Sequence, residues 1–224
     1  MESHENLSRL KRALDVIERL QAQVDALESL AHEPVAIVGI GCRFPGRIDS
    51  PDSFWDAVAA GADLVQPVPA SDPRAATLRG EGNDRYALID GIEQFDAAFF
   101  DLTDDEALRS DPQQRLLLET TWEAIERAGY APSSLAGSDT ALFVGIGSYS
   151  SDYARLQFAG ADADLRTVSG NVHSLIAGRV SYALDLHGPC LAVDGAWASS
   201  LVAIDLAVAC LPRGECSVAL AAGR

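Results

Sequence analysis

Four short, uninterrupted apolar runs constrain the fold of this 224-residue chain more than any other feature. They cover residues 35–40, 141–146, 190–193 and 217–222 and consist mostly of Val, Ile, Leu and Ala. A strand that is apolar without alternation is buried on both faces, which is typical of a sheet covered by helices on both sides. Because stretches with helical periodicity separate the runs, the sequence predicts an α/β domain.

Helix-start signals stand between these runs: a Ser-Pro pair, a Thr-x-x-Glu capping box and an Asp-Pro pair. They predict helices from residue 50 to about 61, from 103 onward, and from 111 to about 129. Residues 62–90 are rich in Pro, Gly, Asp and Arg, which indicates an excursion over the surface.

Residues 197–211 form a helix pattern that is apolar almost all round, with Asp205 as its only charge. A helix of this kind requires cover on every side. One sheet covers only one face, so we expect a second layer to be supplied from elsewhere.

Residues 1–32 are predicted to form a separate amphipathic helix with coiled-coil spacing, followed by a domain at 33–224. Two interpretations stay open: the helix pairs with another chain, or it packs on its own domain. The candidate interface residues share the apolar stripe and are Leu7, Leu10, Leu14, Ile17, Val24 and Leu27.

The charge balance sets nucleic acid and anionic membranes aside, because 17 basic and 33 acidic residues give a net charge of -16. The four cysteines lack Cys-x-x-Cys spacing, and no signal peptide or membrane-spanning run precedes them, which predicts a reduced cytoplasmic protein without a metal site. Gly-Ile-Gly at 39–41 and 145–147 is interpreted as glycines at strand ends rather than as a dinucleotide loop. We therefore expect no bound cofactor.

Seven segments resemble, in order, the N-terminal half of a modular type I polyketide synthase ketosynthase (β-ketoacyl synthase) domain. They are residues 33–46, 95–100, 111–119, 122–126, 177–182, 193–203 and 214–221. The resemblance implies a thiolase-like half-domain, with a mixed sheet of the five-stranded type and a buried central helix. It also implies that the N-terminal helix is similar to the coiled-coil leader that helps synthase subunits dock, and that the substrates are phosphopantetheine-linked acyl groups on carrier proteins.

The nucleophile motif of that family has Cys where this chain has Trp197, within Val-Asp-Gly-Ala-Trp-Ala-Ser-Ser-Leu-Val-Ala. A thiolate attacks a thioester, whereas an indole nitrogen does not. The flanking residues are Ala196, Ala198, Ser199 and Ser200, and the two serines are expected to cap or pack, since no base is near. The sequence thus predicts no catalytic residue, and the Trp ring is expected to fill the space of the acyl-phosphopantetheine tip. Arg43, Arg115 and Arg179 are candidates only for local anion-binding or salt-bridge roles.

The family's two histidines and its lysine for decarboxylation and condensation belong to a second half that this sequence does not include. The leading hypothesis is therefore an inactive, ketosynthase-derived half-domain that assembles within polyketide or polyketide–peptide biosynthesis, as a homo- or hetero-oligomer. The expected partners are a synthase subunit, a second ketosynthase half or an acyl carrier protein. Three alternatives stay open: a split β-ketoacyl synthase whose histidine half comes from another chain, a docking adaptor that uses residues 1–32, and a gene remnant or fragment without function.

Overall fold

The secondary structure alternates between helices and short strands, as the sequence predicts. A computed structural model describes residues 2–31, 33–69, 72, 85–147 and 165–223. The helices are α1 (Glu2–Ala31), α2 (Pro51–Ala59), α3 (Asp104–Arg109), α4 (Pro112–Arg127), α5 (Leu165–Asn171), α6 (Leu175–Ala183) and α7 (Ser199–Cys210). Three 3₁₀ turns lie at Ala98–Phe100, Pro132–Leu135 and Ala196–Ala198. The strands are β1 (Gln66–Pro67), β2 (Arg85–Tyr86), β3 (Ala141–Gly145), β4 (Cys190–Val193) and β5 (Ala219–Gly223).

The main sheet has the order β4-β3-β5, and both pairings are parallel. Val144 at its centre lies opposite Ala192 on one side and Ala222 on the other. Three of the four predicted strands are thereby confirmed, and so is the α/β class. The expected sheet of the mixed, five-stranded type is not what the described residues form, because they hold three parallel strands and a separate two-residue antiparallel pair of β1 and β2.

Strand β3 separates two apolar cores because successive side chains of a strand point to opposite faces. Leu142 and Val144 belong to a core with residues from α4 and α6, among them Leu118 and Val180. Ala141 and Phe143 belong to a second core that is built against α7. The other buried members of that second core are Ala203, Ala207, Cys210 and Cys216.

The predicted strand at residues 35–40 is wrong: these residues form no strand pairing. They lie against α4, where a Cβ added to Gly39 would overlap the carbonyl oxygen of Ala124. Two of the apolar side chains face outward, with Ile37 82% and Val38 61% exposed. An apolar run indicates a tendency toward burial, but it does not supply a neighbouring strand. None of the described strands pairs with residues 35–40.

The predicted helix starts are confirmed by their hydrogen bonds. Thr103 accepts a hydrogen bond from the backbone of Glu106 at 3.2 Å, and the Glu106 carboxylate accepts one from the Thr103 backbone at 3.0 Å. The Asp111 carboxylate accepts from the backbone N–H of Gln113 at 2.9 Å, directly before Pro112. These caps fix where α3 and α4 begin, and the buried face of α4 packs in the core that contains Leu142 and Val144.

Residues Glu2–Ala31 form the helix α1, while its coiled-coil character and its pairing with another helix stay predictions. Leu10, Leu14, Ile17 and Val24 are between 46% and 59% exposed. The side chains of Leu7 and Leu27 lie outside the described residues. Within the part of the chain that is described, no helix is both long enough and apolar enough to cross a membrane.

Candidate functional site

The segment that resembles the nucleophile motif forms a tight turn at the carboxyl edge of the sheet. It follows β4 and leads through the turn Ala196–Ala198 into α7. The Asp194 carboxylate accepts a hydrogen bond from the backbone N–H of Ala196 at 3.0 Å. This local bond holds the chain in the reversal that joins the strand to the helix.

Ala196 adopts a left-handed backbone conformation, with φ of 52°. This conformation is unfavourable for a residue with a Cβ, and such residues concentrate at functional turns. Sequence reasoning missed it, because Ala gives no signal for a positive φ. The consequence is a sharp turn that sets Trp197 at the edge of the sheet, immediately before α7.

The Trp197 side chain is fully exposed, at 102% of its reference area. The expectation that its ring plugs a pocket is therefore wrong for this chain. The turn directs the residue away from the sheet edge, and none of the described elements lies over it. Trp197 is presented at the surface as a large apolar group.

Ser199 is buried, and its hydroxyl is committed to the turn. Its Oγ accepts from the backbone N–H of Gly195 at 3.0 Å and lies within donating distance of two carbonyl oxygens, at 2.7 Å from Ala196 and 3.2 Å from Ile146. A hydroxyl has one proton, so these contacts use its whole donor capacity. Ser199 therefore ties the turn to the end of β3, which is a structural task.

Small residues bring α7 close to the sheet. A Cβ on Gly145 would overlap the backbone of Ser199, and a Cβ on Gly223 would overlap the side chain of Ser200. Ser199, Ala203, Ala207 and Cys210 recur at helical spacing, and all four are buried. Gly145 and Gly223 end β3 and β5, and glycine at a strand end is a sequence signal for such a close approach.

The large aliphatic residues of α7 point away from the sheet. Leu201 is 71% exposed, and Ile204 and Val208 are 48% and 43% exposed. This confirms that the sheet of this chain covers only one face of the helix. Together with Trp197, these side chains form an exposed apolar surface, called here the α7 outer face and defined by Trp197, Leu201, Val202, Ile204 and Val208.

The side chains of His173 and His187 lie in different places relative to Trp197. His187 contacts the Asp185 carboxylate at 3.0 Å in the loop before β4, so it lies at the opposite edge of the parallel sheet. His173 lies beside Ile146 and lines a cavity of about 10 Å³, roughly the room for one water molecule. Neither the cavity nor its lining provides space for an acyl thioester.

The three arginine candidates act within the fold. Arg43 forms a two-point ion pair with Glu123, with one N–O distance of 2.8 Å, and this hydrogen bonding raises the pKa of Arg43. The Nε of Arg179 donates to the side-chain oxygen of Gln114 at 2.6 Å, and burial lowers the pKa of Arg179. Arg115 is buried at 7% exposure, in α4. Arg43 and Arg179 are therefore bonded to groups of this chain, whereas the buried Nε of Arg115 has no hydrogen-bond partner among the described residues.

The described residues contain no group of three or more His, Cys, Asp or Glu side chains that is arranged to hold a metal ion. Cys42 and Cys190 are half-buried, and burial raises the pKa of each thiol. Neither thiol belongs to the turn around Trp197. The site therefore presents an exposed indole at the start of an unusually apolar helix.

Comparison with known proteins places most of the chain in one family. Residues 32–224 match the family model described as beta-ketoacyl synthase, N-terminal domain. The chain is 43% identical over 219 residues to erythronolide synthase EryA3 of Saccharopolyspora erythraea, and this match covers 96% of this chain and 7% of that protein. It is 47% identical over 203 residues to polyketide synthase GfsA of Streptomyces halstedii, and this match covers 85% of this chain and 3% of that protein. The chain thus spans a small part of the length of these relatives.

Solved structures agree with the fold. The ketosynthase from module 6 of the bacillaene synthase of Bacillus subtilis 168 matches in two structures, with TM-scores of 0.71 and 0.68. Each is 30% identical, and the match covers 84% of this chain and 31% of that one. The expected thiolase-like ketosynthase fold is therefore confirmed.

Proposed function

This chain belongs to the beta-ketoacyl synthase family as an N-terminal ketosynthase domain of the modular type I polyketide synthase kind, and on that premise we propose that it is a non-acylating ketosynthase segment. In this role it does not carry an acyl group on residue 197. It contributes the turn, α7 and the α7 outer face to an assembled ketosynthase fold in polyketide biosynthesis. Acyl groups on carrier proteins are then handled elsewhere in the assembly.

The observation that carries this proposal is the residue at the turn. Trp197 stands at the start of α7, where a cysteine thiol would gain nucleophilicity from the helix N-terminus. An indole forms no thioester, and the neighbouring Ser199 hydroxyl is buried and fully hydrogen-bonded. The turn therefore keeps the shape of a nucleophile site without a nucleophile.

The α7 outer face supports the assembly part of the proposal. Five apolar side chains, one of them a fully exposed Trp, present a surface that water solvates poorly. Aromatic residues at the centre of such surfaces commonly carry much of the binding energy. We propose that a further ketosynthase segment or a synthase subunit covers this face.

Acyl loading tests the chemistry. The chain is incubated with an acyl thioester of N-acetylcysteamine, and the acylated residue is located by peptide mass spectrometry. We expect no acyl group on residue 197 of the parent, and acylation of residue 197 in the Trp197→Cys variant, where an exposed thiol stands at a helix N-terminus. Loading of the parent at residues 193–203, or an unreactive thiol in Trp197→Cys, contradicts the proposal.

The solution mass tests the assembly. The 23.7 kDa chain is expected to sediment as an oligomer, or to do so once synthase subunits are added. Leu201→Glu places a charge on the α7 outer face and should weaken this association at least tenfold. Asp205→Glu is the matched control, since it keeps a charge where α7 already has one. Equal association of both variants would show that the face is not an interface.

A second candidate function rests on α1, whose apolar stripe is exposed at Leu10, Leu14, Ile17 and Val24. We propose that this helix docks by pairing with a helix of another chain, as a coiled coil does. Ile17→Glu should lower the association measured by sedimentation. Ala22→Glu is the control, because Ala22 is also exposed but lies about 140° around the helix from Ile17, off the stripe. Association that survives Ile17→Glu and deletion of residues 1–31 excludes docking by this helix.

A further inference from the structure

Two thiols lie in contact where α7 returns to the sheet. The Sγ atoms of Cys210 and Cys216 are 2.8 Å apart, and both cysteines are free. This separation is only about 0.8 Å longer than the bond between the sulfurs of a disulfide, about 2.05 Å. The pair is therefore close to bonding distance before any reaction takes place.

The backbone holds the two residues together. Cys210 is the last residue of α7, and Cys216 lies three residues before β5. The intervening turn is closed by hydrogen bonds from Glu215 N–H to the Cys210 carbonyl at 3.3 Å and from Gly214 N–H to the Leu211 carbonyl at 3.0 Å. Gly214 has φ of 67°, which a turn of this shape requires. The proximity is thus built into the fold rather than produced by flexible side chains.

The surroundings favour a sulfur–sulfur bond over a metal site. Cys210 is 1% and Cys216 4% exposed, and their neighbours in the second core are Ala141, Phe143, Ala203 and Ala207. A structural zinc site takes four ligands, whereas the described residues contain no group of three suitable side chains. Two thiols in an apolar setting can satisfy each other only as a hydrogen-bonded pair or as a disulfide.

We propose that Cys210 and Cys216 form an oxidative modification site at which a small-molecule disulfide, such as oxidised glutathione, installs an intramolecular disulfide that fastens α7 to the segment leading into β5. One cysteine thiolate attacks the oxidant, forms a mixed disulfide and releases one glutathione thiolate. The second cysteine thiolate attacks the protein sulfur of the mixed disulfide and releases the second glutathione. Two protein thiols lose two electrons and two protons, and one oxidant molecule becomes two thiols.

The same surroundings make the reaction slow. Burial, followed by the hydrogen bond with Cys210, raises the pKa of Cys216 to about 12, so its thiolate is scarce at neutral pH. Exchange therefore requires local opening of the turn, and the rate should increase with pH. Once formed, the buried bond is equally shielded from reductants, so its reduction is also expected to be slow and to require local opening.

Peptide mapping of the Cys190→Ser chain tests the proposal, because trypsin cleaves after Arg213 and separates the two thiols. After incubation with oxidised glutathione at pH 8.5, acid quenching and alkylation, we expect residues 180–213 and 214–224 to remain joined, with a mass two hydrogens below their sum. Cys190→Ser removes the other thiol of the first peptide. The melting temperature should rise on oxidation and return with reductant.

Two results would overturn the proposal. One is a stable glutathione adduct on Cys210 or Cys216 while the other thiol stays alkylatable. The other is recovery of Cys210 and Cys216 as alkylated thiols in the folded chain. The exposure to oxidised glutathione must be one that does oxidise both thiols when the same chain is unfolded in guanidinium. The Cys190→Ser/Cys210→Ala chain is the control, since residues 180–213 then contain no thiol and cannot be joined to residues 214–224, while Cys42 lies on a different tryptic peptide. Circular dichroism checks that both variants keep the fold.

Discussion

Residues 35–41 and 141–147 end in the same four letters, Val-Gly-Ile-Gly, and occupy opposite environments. In the second run Val144 and Ile146 are 3% and 4% exposed, whereas their counterparts Val38 and Ile40 are 61% and 50% exposed. The second run includes the central strand of the sheet, and the first forms no strand pairing. The same local pattern is therefore compatible with a buried central strand and with a segment whose apolar side chains are largely exposed.

The difference lies in what each run contacts. Strand β3 has a parallel strand on each side and a helix layer on each face, so both faces of its backbone ribbon are covered. Residues 35–41 contact α4 through glycines, and their remaining sides face solvent within this chain. Four predictions test this contrast, and the expected effects decrease in the order given.

The largest effect is expected for Phe143→Ala in the central strand. Phe143 is 3% exposed in the core between β3 and α7, so its removal leaves a cavity. We expect a loss of about 3–5 kcal/mol in the free energy of unfolding, measured by guanidinium titration. A loss below about 1 kcal/mol would mean that this core is not packed as described.

An intermediate effect is expected at the glycines that the two runs share. The Cβ of Gly145→Ala would overlap the backbone of Ser199, and the Cβ of Gly39→Ala would overlap the carbonyl oxygen of Ala124. Backbone cannot move aside as a side chain can, so each variant should lose about 1–3 kcal/mol. Gly178→Ala in α6 is the control, since its Cβ meets no described atom within 4 Å and alanine favours a helix. If Gly39→Ala matches this control, residues 35–41 do not lie on α4.

A smaller, pH-dependent effect is expected at Glu119 on α4. Burial raises the pKa of this carboxyl, an effect that Arg43 opposes and Glu123 reinforces. A raised pKa in the folded state means that folding favours the protonated acid, so stability falls as pH rises from the unfolded value, about 4.3, through the folded value. Glu119→Gln should remove this decline. The check is the free energy of unfolding of both proteins at pH 4 and pH 7, where the gain of the variant should appear only at pH 7.

The smallest effect is expected for Ile37→Ala. Ile37 is 82% exposed, so truncation removes little buried surface, and the free energy of unfolding should change by less than about 0.5 kcal/mol. The same titration that detects Phe143→Ala measures this difference. A loss of 2 kcal/mol or more in the isolated chain would show that residues 35–40 are covered there, and would remove the contrast between the two runs.

Much of the fold was predictable because its signals are local. Three of the four apolar runs form the three strands of the main sheet, β3, β4 and β5. The caps at Thr103 and Asp111 begin helices where the sequence predicted them. The site was predictable only in part. The motif located the turn and the Trp, while the left-handed Ala196, the exposure of Trp197 and the contact of Cys210 with Cys216 came from the structure.

The sequence by itself determined where α2, α3 and α4 begin, which helix lacks a polar face, and that residue 197 has no thiol. These properties depend on hydrogen bonds and side-chain spacing within a few residues. The tertiary structure decided which apolar run is the central strand, which face of α7 is covered and which thiols touch. Leu142 lies opposite both Cys190 and Leu220, neighbours that are far away in the chain. Burial depends on such distant neighbours, and a local sequence pattern does not identify them.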